Sequence, residues 1–396
     1  MKVKDLLFLT STFIVLSSCS KSENEDVYIP IIESYTNVEA TFGSSVNLNS
    51  LANYANQAIP GYITKDNTAG NPITNKGATL GRVLFYDKNL SSNNTISCAS
   101  CHKQADAFSD ISVTSTGVNG ATGRHSMRLI NTRFAVERKF FWDERAATLE
   151  IQTTQPIQNH AEMGFSGTNG DQSITDLTVK LGAIGYYKKL FKFVYGDEQV
   201  TEVRIQTALA QFIRSIQSFD SKYDIGRTLA ASDAQPFTNF TAQENQGKNL
   251  FLTPPVFDAT GNRTSGGFGC AGCHAAPEFD IDPNTRNNGI IGNISGIGID
   301  ITNTRAPSLR DIVKIDGTTN GPMMHTGVFT SLQTVIGHYG NINIATGNTN
   351  LDTRLMPNGF GQQLNVTATE VNATIAFIKT LSGTNVYVDS KWSSPF

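Results

Sequence analysis

Apolar side chains recur every three to four residues in several segments of the chain, whereas few segments alternate with a period of two. Between residues 198 and 219 such a stripe predicts an amphipathic helix packed against a core; its members are Val200, Val203, Leu209, Phe212, Ile213, Ile216 and Phe219. Residues 77–86 carry a shorter pattern of the same kind. These patterns predict a mainly α protein with many long loops.

Two capping boxes mark where further helices begin. Thr241 is followed three residues later by Glu244, and Thr367 by Glu370. In this motif each side chain satisfies a backbone N–H of the other residue at the first turn of a helix. The first box predicts a helix through Phe251, and the second predicts a helix that stops at Gly383, because glycine is favoured just beyond a helix end.

The first residues have the pattern of an export signal. Two lysines precede an apolar run from Leu6 to Leu16, which is shorter than the roughly 18 residues that span a bilayer. The run ends in Leu16-Ser17-Ser18-Cys19, which resembles a bacterial lipobox. That resemblance implies a signal peptide over residues 1–18 and a lipid on Cys19 that anchors the protein on the periplasmic side of the bacterial outer membrane. The alternative is an ordinary secretory signal with an incidental cysteine.

The composition bounds the function classes. A chain of 396 residues suggests about two domains of ~150–200 residues. The net charge is −3, from 31 Lys and Arg against 34 Asp and Glu. This balance excludes an overall basic nucleic-acid-binding protein, so we expect no nucleic-acid partner. Five cysteines in so long a chain are too few for a disulfide scaffold.

Four of these cysteines form two CxxCH motifs, at Cys98, Cys101 and His102 and at Cys270, Cys273 and His274. CxxCH is the attachment signature of c-type haem. Two thiols on one helical turn reach the two vinyl groups of a porphyrin, and the adjacent imidazole becomes the proximal iron ligand. The alternatives are a redox-active dithiol or a Cys₄ zinc site. Neither explains a histidine after both pairs, so we expect two covalently bound haem c groups.

Each motif follows a glycine-bearing helix, which is a weak internal repeat. With a boundary near Pro236, we expect a tether and irregular leading segment over residues 19–75, a first domain over 76–235 and a second over 236–396.

Around these motifs the sequence resembles the bacterial di-haem cytochrome c peroxidases and the related MauG-like enzymes, over residues 76–385. The resemblance is carried by the CxxCH motifs and by Phe140-Phe-Trp-Asp-Glu-Arg145, Leu149-Glu-Ile-Gln152, Glu162-Met163, Arg305-Ala-Pro-Ser-Leu-Arg310 and His325-Thr-Gly327. It implies two cytochrome c-like haem domains, with the peroxidatic haem at His102 and the electron-entry haem at His274. It also implies that Trp142 bridges electron transfer, that Glu162 is the distal catalytic acid and base, and that Gln152 belongs to the same pocket wall.

Two iron-ligand positions depart from the family pattern. The stretch Ser115–Gly120 contains no histidine where many members carry one that blocks the peroxidatic iron. We therefore expect the first haem to be five-coordinate, and we interpret the nearest histidine, His125, as a hydrogen-bonded structural residue. For the second haem, spacing leaves both Tyr339 and Met356 as the sixth ligand. We favour Met356, because Met356-Pro357 resembles the Met-Pro loop of small cytochromes c.

The resemblance also implies partners. Members of the family reduce hydrogen peroxide with electrons from a small c-type cytochrome or cupredoxin, and this is the function that we expect. The alternatives are MauG-like oxidation of a partner protein by peroxide, or a lipid-anchored electron carrier. A calcium ion between the domains is left open, because His125 replaces the family's asparagine ligand. A homodimer is also left open.

Overall fold

The computed structural model describes residues 35–135, 139–281 and 285–396, which form one compact unit. The described part of the chain is mostly helical and contains only four short strands. The helices are α1 Thr36–Phe42, α2 Asn75–Tyr86, α3 Cys98–Cys101, α4 Leu149–Thr154, α5 Ile174–Ala183, α6 Gly185–Tyr195, α7 Glu202–Ser215, α8 Lys222–Leu229, α9 Ala242–Leu252, α10 Leu332–Gly340, α11 Ala368–Lys379 and α12 Asn385–Val388. The strands form two antiparallel pairs, β1 Pro255–Phe257 with β2 Arg263–Gly266 and β3 His274–Ala275 with β4 Asp280–Ile281.

A first buried cluster is built around the crossing of α2 and α7. Gly81 lies at this crossing, and a Cβ placed on it would stand 2.0 Å from the backbone oxygen of Ala208. Glycine therefore lets the two helix backbones approach closely. The buried members of the cluster run from Tyr35 to Ile216, and Val386 and Trp392 near the C-terminus return to it.

A second buried cluster is built in the same way, around a close crossing of α9 and α11 at a glycine. A Cβ on Gly247 of α9 would stand 1.8 Å from the backbone oxygen of Ala373 of α11. The buried members of this cluster lie between Tyr223 and Leu381. Each CxxCH motif thus follows a helix whose glycine admits a second helix at close range. The division into domains at residues 235 and 236 stays a prediction.

The capping boxes are formed as the sequence predicts. The Thr241 backbone N–H donates to Glu244 and the Glu244 N–H donates to Thr241 Oγ1 at the start of α9. The same reciprocal pair joins Thr367 and Glu370 at the start of α11. Two details of the prediction are wrong. Val203 is 67% exposed although it fits the apolar stripe, and α11 ends at Lys379, four residues before Gly383.

Gly383 serves packing rather than helix termination. A Cβ there would stand 2.1 Å from Asp220 Oδ1, so the close approach of Asp220 requires glycine.

The predicted signal peptide and the lipobox cysteine lie outside the described residues. Among the helices of the described residues, none combines the length and the apolar content needed to cross a membrane.

Candidate functional site

The first CxxCH motif lies on α3, a single turn whose start is fixed by the Ser97 N–H donating to Ser100 Oγ. The next residue, His102, has its Nδ1 3.1 Å from the backbone oxygen of Phe108. The neutral tautomer with hydrogen on Nδ1 donates this bond and leaves Nε2 available as an iron ligand. Burial lowers the pKa of His102, which favours that neutral form.

Cys98, Cys101 and His102 line a cavity of about 440 Å³, called here the first cavity. The distal residues implied by the family resemblance line it as well: Gln152 from α4, and Pro156 and Glu162 from the segment that follows α4. The structure thus brings together one proximal imidazole, two thiols and the candidate catalytic carboxylate. Arginine side chains add positive charge to the wall; they are Arg124, Arg128, Arg145 and Arg305.

Glu162 is held through its backbone by the loop that lacks the family's histidine. Its backbone oxygen accepts from Val118 N at 2.9 Å, and the preceding Ala161 oxygen accepts from Asn119 N at 3.1 Å. A Cβ on Gly117 would stand 2.1 Å from the Ala161 oxygen, so the contact requires glycine. Burial raises the pKa of the Glu162 carboxyl, while the charge of Arg145 opposes the rise. A carboxyl with a raised pKa keeps its proton to a higher pH than an ordinary glutamate does, which suits a group that both accepts and donates a proton.

The second motif lines a separate cavity of about 410 Å³, called here the second cavity, which contains Cys270, Cys273 and His274. Burial lowers the pKa of His274 to about 4, and the backbone oxygens of Pro307 and Phe279 oppose that shift. His274 is therefore a neutral imidazole at physiological pH, as an iron ligand must be.

The two candidate sixth ligands of the second haem are placed differently. Tyr339 from α10 lines the second cavity, and it lies close enough to Cys273 and Cys270 for their charges to act on its hydroxyl. Met356 does not line this cavity, although both residues pack beside a small cluster of Ile342, Leu351 and Leu355. Burial raises the pKa of Tyr339, and Asn288 Nδ2 lies 3.5 Å from its hydroxyl. This placement favours Tyr339 over the Met356 that the sequence suggested.

Trp142 lines both cavities and is 9% exposed. Its Nε1 donates to the backbone oxygen of His125 at 2.7 Å, and its own backbone oxygen accepts from Arg305 N at 2.7 Å. The imidazole of His325 packs against it, with ring centroids 6.3 Å apart. The indole is therefore held on both sides at the position that an electron bridge would occupy.

The residues present fit covalently bound haem. All four motif cysteines are free thiols, and burial raises the pKa of Cys98 and Cys270 to about 12. Arg128 lines both cavities and is half-buried; its Nη2 donates to Ser308 O at 3.1 Å, and its buried Nε has no hydrogen-bond partner. Burial lowers the Arg128 pKa to about 10, as expected of a cation that lacks a full counter-charge. The carboxylate of a haem propionate is the anion that such a guanidinium would bind.

His125 is a hydrogen-bonded residue of the protein interior. It is 4% exposed, and its Nδ1 lies 3.0 Å from Ser112 O while Nε2 lies 3.5 Å from Ser109 Oγ. Burial lowers its pKa to about 4. Both ring nitrogens thus have partners other than iron, in agreement with the structural interpretation. Asn320, which the family resemblance places near a calcium ligand position, donates to Asp311 O and to the Tyr387 hydroxyl. Calcium binding is left open, as it was from the sequence.

Sequence reasoning gave no role to the arginines that lie beside Trp142. Arg128 and Arg305 line both cavities, and Arg305 pairs with Asp280 at 3.6 Å. Arg124 joins Asp143 and Asp300 at 2.5 Å each, and so links the two halves of the chain. The motif that begins at Arg305 was a usable signal for that residue, but nothing in the local pattern marks Arg128.

Comparisons with known proteins find relatives over most of the chain. Residues 75–230 match the family model described as di-haem cytochrome c peroxidase. The chain is 30% identical to the methylamine utilization protein MauG of Methylophilus methylotrophus, with 79% of this chain and 84% of that protein covered. It is 27% identical to the cytochrome c551 peroxidase of Nitrosomonas europaea, with coverage of 77% and 80%.

Solved structures are similar over nearly all of the described chain. A MauG-like protein associated with microbial copper homeostasis superposes with a TM-score of 0.66 at 27% identity, covering 86% of this chain and 99% of that one. The di-haem peroxidase BthA of Burkholderia thailandensis superposes with a TM-score of 0.61 at 20% identity, covering 85% and 90%. The second likeness concerns the fold alone.

Proposed function

This chain belongs to the di-haem cytochrome c peroxidase family, and we propose that it reduces hydrogen peroxide to water with electrons from a small periplasmic redox protein. It is an oxidoreductase. The observation that carries the proposal is the placement of Glu162 and His102 in one cavity, with Trp142 lining that cavity and the next. One peroxide takes up two electrons and two protons and gives two molecules of water.

Bound haem would supply the iron that binds peroxide and exchanges electrons with it. Glu162 supplies the proton chemistry. Its carboxylate would accept a proton from one peroxide oxygen and return it to the other oxygen, which leaves as water. General acid–base catalysis of this kind contributes about 10²–10⁴-fold. Gln152 and Pro156 complete the pocket wall around the carboxylate.

Trp142 carries electrons between the cavities in this proposal. The hydrogen bond from its Nε1 to the backbone oxygen of His125 orients the ring, and the hydrogen bond from Arg305 N to its own backbone oxygen fixes the main chain that carries it. A fixed aromatic ring in contact with both cavities replaces one long electron jump by two short ones. Electrons enter from the donor, a small c-type cytochrome or cupredoxin, on the side of the second cavity.

A second candidate function is peroxide-dependent oxidation of residues in a partner protein. The observation that favours it is Tyr339, which lines the second cavity while Met356 does not. A tyrosine ligand gives a lower haem potential than a methionine ligand, and a lower potential makes the second haem a poorer acceptor of electrons from a small cytochrome. The identity of 30% to a MauG protein is consistent with this candidate.

The experiment is peroxide-dependent oxidation of a reduced small cytochrome c by the purified protein, started fully oxidised and again pre-reduced. We expect fast turnover from both starts, because the 115–120 loop offers no histidine to block the first iron. Turnover only after pre-reduction would contradict the open first haem. Peroxide reactivity without cytochrome turnover would favour oxidation of a partner protein. No reaction with peroxide would leave electron transfer alone as the function.

We also propose that the protein is exported and anchored by a lipid on Cys19. The support is the Leu16-Ser-Ser-Cys19 pattern behind a short apolar run. Two or more acyl chains give stable membrane attachment, since each buried CH₂ contributes about 0.8 kcal/mol. In a bacterial host, Cys19→Ser should lose labelling by radioactive palmitate and leave the membrane fraction. Unchanged labelling would remove Cys19 from this role.

A further inference from the structure

Two adjacent tyrosines of the first buried cluster share one carboxylate oxygen. Tyr186 and Tyr187 on α6 donate their hydroxyl hydrogens to Asp87 Oδ2 at 2.6 and 2.8 Å. Their ring centroids are 4.7 Å apart. Tyr187 is fully buried and Asp87 is 3% exposed, whereas Tyr186 is only partly buried. The pair therefore has an inner and an outer member, both with the same proton acceptor.

The inner member lies near the first haem-attachment motif. Tyr187 and Cys98 pack in the same buried cluster, and a charge on the Cys98 sulfur would act on the Tyr187 hydroxyl. Burial, and then the charge of Asp87, raise the pKa of Tyr187 well above its usual range. Tyr187 is thus a neutral phenol in contact with a carboxylate. The outer ring of Tyr186 leads on to Phe42, whose centroid is 5.2 Å away.

We propose that Tyr187, Tyr186 and Asp87 form a second redox site, through which electrons reach the first haem from phenol-type donors at the surface. The proposal rests on the peroxide reaction proposed above, which supplies the oxidant. Tyr187 gives one electron to the oxidised haem and its hydroxyl proton to the Asp87 carboxylate. Tyr186 then gives one electron to Tyr187, and the proton held on Asp87 returns to the Tyr187 oxygen while the Tyr186 proton takes its place.

A phenol at the surface completes each cycle: its electron reduces Tyr186, the proton held on Asp87 returns to the Tyr186 oxygen, and the proton of the phenol passes to the solvent, from which the peroxide reaction takes up its protons. Two phenols therefore balance one peroxide, because they supply the two electrons and two protons that form two waters. Loss of an electron makes a phenol strongly acidic, so its oxidation needs a base within hydrogen-bond distance. Asp87 Oδ2 is such a base for both rings.

Another tyrosine of the same helix has a hydroxyl that bonds only a peptide oxygen and serves as a structural comparison. Tyr195 of α6 donates to the backbone oxygen of Arg204 at 2.8 Å. A peptide oxygen satisfies the hydroxyl, but it does not take up its proton at neutral pH. Tyr195→Phe is therefore a matched control for Tyr186→Phe and Tyr187→Phe.

The test uses the full holoprotein mixed with peroxide without a donor, frozen within milliseconds and examined by electron paramagnetic resonance with ring-deuterated tyrosine. We expect a tyrosyl radical in the wild type and in Tyr195→Phe, and its loss in Tyr187→Phe. Asp87→Asn keeps an oxygen for the Asn89 N–H, which donates to Asp87 Oδ1 at 2.8 Å, but it removes the base and should also lose the radical.

A second readout is turnover with guaiacol as the phenol probe. Tyr186→Phe should lose guaiacol oxidation and keep oxidation of reduced cytochrome c, because that donor enters at the other haem. A wild-type Soret band that does not respond to peroxide would overturn the proposed peroxidase function itself. A normal Soret response with an unchanged radical and unchanged guaiacol turnover in Tyr187→Phe and Tyr186→Phe would overturn only the tyrosine site.

Discussion

The indole Nε1 of Trp142 donates a hydrogen bond of 2.7 Å to the backbone oxygen of His125, so the histidine's main chain orients the ring that lines both cavities. The imidazole of His125 is itself held by Ser112 O at 3.0 Å. His125, interpreted from the sequence as a structural residue, therefore supports the candidate electron bridge.

Replacing the bridge should slow electron transfer without disturbing the haem sites. In Trp142→Phe the hydrogen bond to His125 is lost and the ring is smaller, so we expect turnover with reduced cytochrome c to fall while both haems stay bound. Stopped-flow reduction of the first haem measures the step directly. Trp392→Phe is the control, because Trp392 is buried away from both cavities. Equal rates of first-haem reduction in wild type and Trp142→Phe would exclude Trp142 as the electron bridge.

Glu162→Gln should reduce peroxide turnover by about 10²-fold or more, because the amide does not accept the proton of peroxide. In the wild type, activity should rise with pH through the raised pKa of Glu162, since the carboxylate is the active form. This acid limb should be missing from the residual activity of the variant. Glu198→Gln, an exposed site, is the control. Near-normal turnover in Glu162→Gln would exclude the role.

Two substitutions distinguish the candidate sixth ligands of the second haem, Tyr339 and Met356. Because Tyr339 lines the second cavity and Met356 does not, Tyr339→Phe should change the absorption spectrum and potential of that haem. Met356→Leu should change neither. The opposite pattern would restore the methionine that the Met-Pro pattern suggested.

The two close helix crossings should not tolerate a methyl group. In Gly81→Ala the new Cβ would stand 2.0 Å from the Ala208 oxygen. Overpacking of this kind lowers the free energy of unfolding by about 1–3 kcal/mol, more than the roughly 0.5–1 kcal/mol that alanine gains over glycine in a helix.

Gly337→Ala in α10 is the matched substitution, because no atom lies within 4 Å of its Cβ position. Urea denaturation should show this variant unchanged or slightly more stable, and Gly81→Ala less stable. Equal stability of the two variants would contradict the role of Gly81 at the crossing.

Burial raises the pKa of Asp311 to about 6, from 3.8, and this shift gives a pH dependence of stability. The folded state holds the proton more tightly than the unfolded chain, so stability falls as pH rises between about 4 and 6. The loss is about 3 kcal/mol in total. Asp311→Asn keeps an acceptor for the Gly383 N–H and should lack this fall. Parallel denaturation curves at pH 4 and 7 for wild type and variant test it, with exposed Asp316→Asn as control.

The sequence by itself determined the features that act over a few residues. The CxxCH spacing indicates haem attachment because two thiols and an imidazole must meet one porphyrin, and the Thr241 and Thr367 capping boxes begin α9 and α11 because the partners are three residues apart. The stripe of α7 was equally readable, although it wrongly included the exposed Val203.

Only the tertiary structure decided the contacts between segments far apart in the chain. Tyr339 lines the second cavity and Met356 does not, which spacing left open because a loop of undetermined path joins them. Arg128 is a candidate partner of a haem propionate only because the fold places it in the walls of both cavities. Asp87 and Tyr187 share a hydrogen bond across 100 residues of sequence. Such pairings depend on how helices pack, and side-chain packing in three dimensions leaves no periodic trace in a linear pattern.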